Sequence, residues 1–249
     1  MPRHHTYRNW GDLARLRGQR IALTVGIFDG IHRGHVSVFN LTRELAADFG
    51  GIALVFTFSN HPLTVLEPER GVRYLTLPEE KVNLLHRMKF DHVACFNFTH
   101  RFSQMTAQEF LTRITANCRL RALVVGYDAR LGHDRLDSRK LQWLRREFGF
   151  DLLQVAEVRE AGDVISSRRI RELVSAGDIA AANRLLLYPF ALRSRVTSGM
   201  GVGRRILGTP TANILVPPEK LLPPEGVYAG SFHRERHHFP AAIFITDAA

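Results

Sequence analysis

Five short apolar runs, separated by longer amphipathic stretches, govern what this chain can fold into. The runs are Ile21-Ala-Leu-Thr-Val25, Ile52-Ala-Leu-Val-Phe-Thr-Phe58, His92-Val-Ala-Cys-Phe-Asn-Phe98, Ala122-Leu-Val-Val125 and Asp151-Leu-Leu-Gln-Val155. Between them, apolar residues recur at helical spacing over 36–45, 79–89, 106–117 and 138–148. A strand that is apolar along its whole length is buried on both faces, and strands alternating with helices pair in parallel. The expected architecture is α/β, a doubly wound parallel five-stranded domain. Ligands of such folds bind beyond the carboxyl ends of the strands, near the switch in strand order.

Three polar, glycine-bearing segments fall where that rule places a site. Gly26-Ile-Phe-Asp-Gly-Ile-His-Arg-Gly-His35 follows the first run, Ser59-Asn-His-Pro62 the second, and Gly126-Tyr-Asp-Ala-Arg-Leu-Gly132 the fourth. The first sets His32 and His35 at the mouth of a helix, with Arg33 and Gly34 between them. A helix N-terminus offers N–H donors and the positive end of a dipole to a phosphate. Gly34 admits close backbone approach, and imidazoles donate hydrogen bonds to charge developing on phosphorus. Strand, turn and helix in this order make the segment an H-x-G-H nucleotidyl-transfer signature.

Lys and Arg number 34 against 24 Asp and Glu, a net charge of +10 with neutral histidines. That balance suits a polyanionic ligand without choosing among nucleotide phosphates, nucleic acid and acidic lipid. The basic clusters Arg3–Arg8, Arg15–Arg20 and Arg139–Arg146 lack interleaved aromatics of the single-strand-binding kind, which disfavours nucleic acid as a partner. No apolar run is long enough to cross a bilayer, and the amino end lacks a signal-peptide apolar core, so no membrane partner is expected. Cys95 and Cys118 show no C-x-x-C spacing, which points to a reduced compartment and a cytoplasmic location.

After residue 165 the pattern changes. Ile165-Ser-Ser-Arg-Arg-Ile-Arg171 and the residues up to Gly177 read as a helix capped by Ser166 or Ser167, and Asp178 caps a second helix running to about Leu187. Arg168, Arg169 and Arg171 occupy the first turn of that helix. Cations there cost ~0.3–1 kcal/mol each unless an anion offsets them. A docked triphosphate would do so, since guanidinium groups bind phosphate oxygens in fork geometry. The rest, rich in Gly, Pro and β-branched residues, reads as short strands and turns.

Taken together, these motifs resemble the prokaryotic bifunctional FAD synthetases, the riboflavin kinase/FMN adenylyltransferase family. Phe28-Asp-Gly-Ile-His-Arg-Gly-His35 is similar to that family's F-D-G-x-H-x-G-H. Thr57-Phe-Ser-Asn-His-Pro62 resembles T-F-x-P-H-P with Asn60 in place of the first proline. Val124-Val-Gly-Tyr-Asp-Ala-Arg-Leu-Gly132 resembles V-V-G-x-D-F-R-F-G, with Ala129 and Leu131 replacing both phenylalanines. Ile165-Ser-Ser-Arg-Arg-Ile-Arg171 resembles I-S-S-T-R-I-R, with Arg168 for threonine. Leu75-Thr-Leu-Pro-Glu-Glu-Lys81 and Phe98-Thr-His-Arg-Phe102 also resemble family segments.

The resemblance implies a domain over 1–187 that moves AMP from ATP to FMN, giving FAD and pyrophosphate. His32, His35 and Arg169 would then be catalytic. Gly26, Phe28, Asp29, Gly34, Ser166, Ser167 and Arg171 would bind ATP, and Asn60, His61, Pro62, Asp128 and Arg130 would bind FMN. Mg²⁺ would bridge the phosphates while keeping its waters, with no direct side-chain ligand in this domain. Residues 188–249 resemble the opening of a riboflavin-kinase β-barrel. Gly199-Met-Gly-Val-Gly203, Gly208-Thr-Pro-Thr-Ala-Asn213 and Gly226-Val-Tyr-Ala229 carry that likeness, with Thr209 for a phenylalanine and with Thr211 and Asn213 as remnants of an ATP and Mg²⁺ site. The later strands of the barrel and its catalytic glutamate have no counterpart up to Ala249. The expectation is therefore a truncated β-barrel-like module, absent or very weak riboflavin kinase activity, and self-association through the incomplete strands.

Other readings stay open at this point. A metal hydrolase would use His32 and His35 as ligands, with Asp29 the only candidate third. A class I aminoacyl-tRNA synthetase also uses H-x-G-H, but would need a lysine-rich second signature. Small nucleotidyltransferases acting on other phosphorylated acceptors share the turn. A fully bifunctional enzyme and a catalytically silent flavin- or nucleotide-binding regulator complete the alternatives.

Overall fold

A computed structural model describes residues 4–197, 211–234 and 237–246. The chain divides into two compact units, Met1–Ser167 and Arg168–Ala249.

The first unit is an α/β domain. Its strands and helices run β1 (His5–Tyr7), β2 (Arg20–Val25), α1 (Arg33–Asp48), β3 (Ile52–Phe58), α2 (Leu63–Leu66), α3 (Pro78–Arg87), β4 (His92–Phe96), α4 (His100–Ser103), α5 (Ala107–Thr115), β5 (Arg119–Val125), α6 (Gln142–Phe148) and β6 (Asp151–Gln154). A small antiparallel hairpin follows, β7 (Arg159–Glu160) and β8 (Asp163–Val164). Strands β1 to β6 form one parallel sheet in the order β1-β4-β3-β2-β5-β6.

The doubly wound parallel class read from the sequence is the class observed, with one strand more than the apolar runs show. That strand is β1, which pairs with β4 in the register His5↔His92 and Tyr7↔Ala94. Three residues of mixed polarity carry no apolar run, so only the docking of Tyr7 into the core makes them a strand.

Burial on both faces explains the continuous apolar character of the central strands. Ile21, Leu23, Leu54, Phe56, Ala94, Phe96 and Leu123 point to one face, into a cluster with Phe110, Leu111 and Ile114 of α5. On the other face Ala22 and Ala122 meet Ala46 of α1. Small side chains there let α1 lie close to β2 and β5. Winding runs outward from β2 through β3 and β4, then returns across β2 to β5 and β6. The switch point is therefore the crevice between β2 and β5, and the turn entering α1 opens at it.

In the second unit, α7 (Ser167–Ser175, of which this unit holds Arg168 onward) is followed by Gly177, whose φ of +79° ends the helix in the left-handed region. Asp178 then caps α8 (Ile179–Leu185), accepting a hydrogen bond from the Ala181 N–H at 2.9 Å. The remaining described strands form two antiparallel pairs. β9 (Val196–Thr197) pairs with β10 (Asn213–Ile214), and β11 (Gly226–Arg234) with β12 (His237–Ile245). Cross-strand partners Val227 and Phe244 are 70% and 69% exposed. Among the sequence motifs, Arg3, Gly199–Gly203, Gly208 and Thr209 lie outside the described residues.

Candidate active site

The turn from Gly26 to His32 leaves β2 at the switch point and is folded by its own side chains. Phe28 sits in the left-handed region at φ +48°, unusual for a residue with a Cβ. Its ring folds back over Gly26, where a Cβ would lie 2.8 Å from the ring edge, and it meets His35 edge-on at 5.2 Å. Gly30 is also left-handed, at φ +59°, and a Cβ there would come within 2.5 Å of Leu75. Only glycine satisfies both constraints.

Asp29 fixes this conformation. Its carboxylate is buried and accepts hydrogen bonds from the Leu75 N–H (3.1 Å), the Thr76 N–H (2.8 Å) and the Thr76 hydroxyl (3.0 Å). Thr76 in turn accepts from the Gly30 N–H at 3.0 Å. The family pattern groups Asp29 with the ATP-binding residues. In the structure both carboxylate oxygens are engaged by the 75–76 segment, which makes it the anchor of the turn.

His32 is the N-cap of α1 and His35 lies one turn on, so the two rings stack, 3.6 Å between centroids and 20° from parallel. The His35 Nδ1 accepts a long hydrogen bond from the His32 N–H, 3.5 Å. His32 is 5% exposed, and burial pushes its pKa down to about 4, only partly offset by Asp29. Burial, then the His32 and Lys81 charges, hold His35 well below the usual histidine value. Both imidazoles are thus neutral at pH 7. The buried Nδ1 of His32 has no hydrogen-bond partner in the protein. It is a polar group that the protein itself leaves unsatisfied. The first-turn N–H groups of α1 lack helical acceptors as well.

Around the turn, the Gly34 backbone passes the Ile165 carbonyl closely enough that a Cβ would stand 3.6 Å from it. Ser167 donates its hydroxyl to the Asp29 carbonyl at 2.7 Å. Ser166 adjoins it, and Arg33 pairs with Glu160 of the β7–β8 hairpin. Arg168, Arg169 and Arg171 belong to the second unit, where Arg168 and Arg169 approach Glu172 at 3.1 and 3.7 Å.

The other two rim segments leave β3 and β5. Asn60 makes a two-point contact with the Phe98 backbone, donating to its carbonyl at 2.8 Å and accepting from its N–H at 2.7 Å. Proline could not make this contact, so the departure at Asn60 gives the loop after β3 a side-chain tie to the end of β4. His61 is buried, with its N–H donating to the Tyr74 hydroxyl and its Nδ1 accepting from Leu63. Pro62 starts α2. Asp128 and Arg130 are on the loop after β5, both exposed. Ala129 and Leu131, which replace aromatic residues of the pattern, pack against the core instead of lining open surface. Thr211 and Asn213 are exposed in the second unit, Asn213 within β10.

Sequence pattern gives no site role to Lys81. It is 4% exposed on α3, and its ammonium donates to the Ile27 carbonyl at 2.8 Å and the Phe58 carbonyl at 2.6 Å. A signal is present nonetheless: Lys81 shares the buried helical face with Leu85, four residues on. Among the described residues no group of three or more His, Cys, Asp or Glu is placed to hold a metal ion. No helix among them is long and apolar enough to cross a membrane.

Comparison with known proteins matches the FAD synthetase family model over residues 15–169 and the riboflavin kinase family model over residues 186–248. The chain is 34% identical over 220 residues to the bifunctional riboflavin kinase/FMN adenylyltransferase of Escherichia coli, covering 88% of this chain and 70% of that protein. To the protein of the same description from Listeria monocytogenes it is 33% identical over 234 residues, 92% of this chain and 72% of that one. A solved structure described as a macrolide-efflux protein from Streptococcus pneumoniae superposes with a TM-score of 0.86 at 27% identity, over 99% of this chain and 80% of that one.

Proposed function

Because the chain belongs to the FAD synthetase family, we propose that it transfers AMP from ATP to FMN, giving FAD and pyrophosphate. The observation that carries this reading is the stacked, neutral His32–His35 pair at the mouth of α1, with a buried His32 nitrogen lacking a protein partner. In this reading a phosphate oxygen of FMN attacks the α-phosphorus of ATP in line. The new P–O bond forms as the bond to the bridging oxygen breaks, and pyrophosphate leaves with that electron pair. The attacking phosphate is already anionic, so no strong base is required. The protein's work is alignment and stabilisation of transition-state charge.

His32 and His35, with the first turn of α1, receive the α- and β-phosphates. Gly26, Phe28 and Gly34 shape the turn that admits them, and Asp29 holds it. By resemblance to the family pattern, Ser166, Ser167 and Arg171 are assigned to ATP binding and Arg169 to the departing pyrophosphate. Asn60, His61, Pro62, Asp128 and Arg130 form the FMN side. Mg²⁺, when bound with ATP, would neutralise phosphate charge and would be held by phosphate oxygens and water rather than by side chains of this domain. The adenylyltransferase part extends over 1–187, in the cytoplasm, and 188–249 is a kinase-like β module. Riboflavin phosphorylation by this chain is absent or very weak in this reading, and Thr211 and Asn213 are remnants. Through the strands of that module the chain self-associates, which sedimentation over a concentration series reads directly.

The test is an end-point assay with ATP and Mg²⁺, offering FMN and riboflavin separately and resolving the flavins by chromatography. FAD from FMN with no FMN from riboflavin supports the reading. FMN from riboflavin overturns its kinase part, and no FAD from FMN overturns its core.

A further inference from the structure

The turn after β2 and the loop after β3 carry the two halves of the proposed site, and one side chain joins them. Lys81, from the first turns of α3, reaches under the rim and donates to Ile27 O, inside the turn, and to Phe58 O, the last carbonyl of β3. The Ile27 carbonyl also accepts the Thr57 hydroxyl at 3.0 Å, so two donors from different elements converge on one atom. Immediately upstream of α3, Leu75 and Thr76 hold Asp29. A buried ammonium is costly unless its hydrogens are paired, and a neutral side chain of similar shape is the usual alternative. Here the amine is bonded to the backbone of two loops rather than to a carboxylate. Burial pulls the Lys81 pKa down, Cys95 and Asp29 offset that only in part, and the Lys81 charge in turn disfavours charging of His35.

We propose that Lys81 is a positioning residue for adenylyl transfer: its ammonium fastens the turn after β2 to the end of β3 and so sets the distance between the attacked phosphorus and the attacking FMN phosphate. This rests on the function proposed above. The ATP side of the site grows from Ile27 and the FMN side from Phe58, so a change in their separation acts along the reaction coordinate. Each substrate still finds its own half of the site intact. Misplacement by about 1 Å is enough to lower a rate about 10²-fold.

The experiment is steady-state kinetics of Lys81→Met and Lys81→Gln beside the unaltered chain, with fluorescence melts to confirm folding at the assay temperature. Lys81→Met is expected to lower kcat about 10²-fold while KM for ATP and for FMN each stay within about threefold. Lys81→Gln, whose amide retains a donor, is expected to recover part of that loss. A folded Lys81→Met with kcat within about threefold of the unaltered chain overturns the assignment. So does a loss confined to KM. If neither variant folds, Lys81 is a folding residue and the assignment also fails. An unaltered chain that makes no FAD overturns the proposed function and this inference with it. With an active unaltered chain, a failure in the variants counts against Lys81 alone.

Discussion

Acidification should weaken the first unit through His32 in particular, and by an amount the structure sets. An unfolded histidine titrates near 6.5, whereas burial holds folded His32 at about 4. Below pH 6.5 the unfolded chain takes up a proton that the folded one refuses. The stability tied to this neutral ring is therefore complete above about pH 7.5 and is lost as the pH falls from 6.5 through 4. Linkage gives a slope of about 1.4 kcal/mol per pH unit within that window, and a loss of about 2 kcal/mol at pH 5 from His32 alone. His35, His86 and His92 are also lowered by burial and add in the same direction. Substituting His32→Asn removes its share and leaves those of His86 and His92, while His35 keeps the part of its shift that comes from burial and Lys81. Both tryptophans, Trp10 and Trp143, lie in the first unit, so intrinsic fluorescence reports that unit without contribution from the second. Urea unfolding of both proteins at pH 7.5 and pH 5.0 should show a pH-induced loss smaller by about 2 kcal/mol in His32→Asn. Parallel losses in the two proteins would refute the burial argument, because a solvated imidazole would leave no difference.

Asp29→Asn should lower stability by about 1.5–3 kcal/mol, since it weakens charge-assisted hydrogen bonds to a buried acceptor; urea melts by tryptophan fluorescence check it, and an unchanged midpoint denies Asp29 its anchoring role. Gly30→Ala should lower both the melting temperature and FAD formation, because the left-handed backbone and the Leu75 side chain both reject a Cβ. Wild-type activity in Gly30→Ala would mean the turn has another accessible conformation. Arg169→Ala should reduce kcat about 10²-fold in a folded protein if it stabilises departing pyrophosphate, and a rate within about threefold of normal dismisses that role.

Much of the architecture is legible because it is written in local pattern. The strand over Ile52–Phe58 and the helices following His32 and Thr106 announce themselves by apolar runs, periodicity and caps. Asp178 and Gly177 mark the join of α7 and α8 by cap and left-handed turn. Elsewhere the pattern misleads. β5 begins at Arg119, not Ala122, because Arg119 and Arg121 face outward while Leu120 and Ala122 are buried, an alternation that an apolar-run criterion overlooks. Helix α6 starts at Gln142 rather than near 138, since Asp137 accepts the Lys140 N–H and holds a turn there.

At the site, the motif segments and their rim position can be read from the chain, but the working state of several residues cannot. Asp29 looks like a phosphate neighbour; its partners Leu75 and Thr76 lie 46 and 47 residues away. Lys81 reaches 54 residues back to Ile27, so nothing in its own segment reveals what it holds. Asn60 reads as a lost proline, although the fold gives it Phe98 as a two-point partner. Residues whose roles depend on distant backbone groups are the ones that sequence pattern leaves unspoken.

The most direct measurement of the central claim is the fate of labelled phosphorus. The protein is incubated with Mg²⁺, unlabelled FMN and ATP labelled at either the α- or the γ-phosphorus, and the products are separated. Adenylyl transfer at the His32–His35 turn predicts α-label in FAD and γ-label in pyrophosphate, with none of the γ-label in any flavin. FAD without α-label, or no label in any flavin from either ATP, would contradict it.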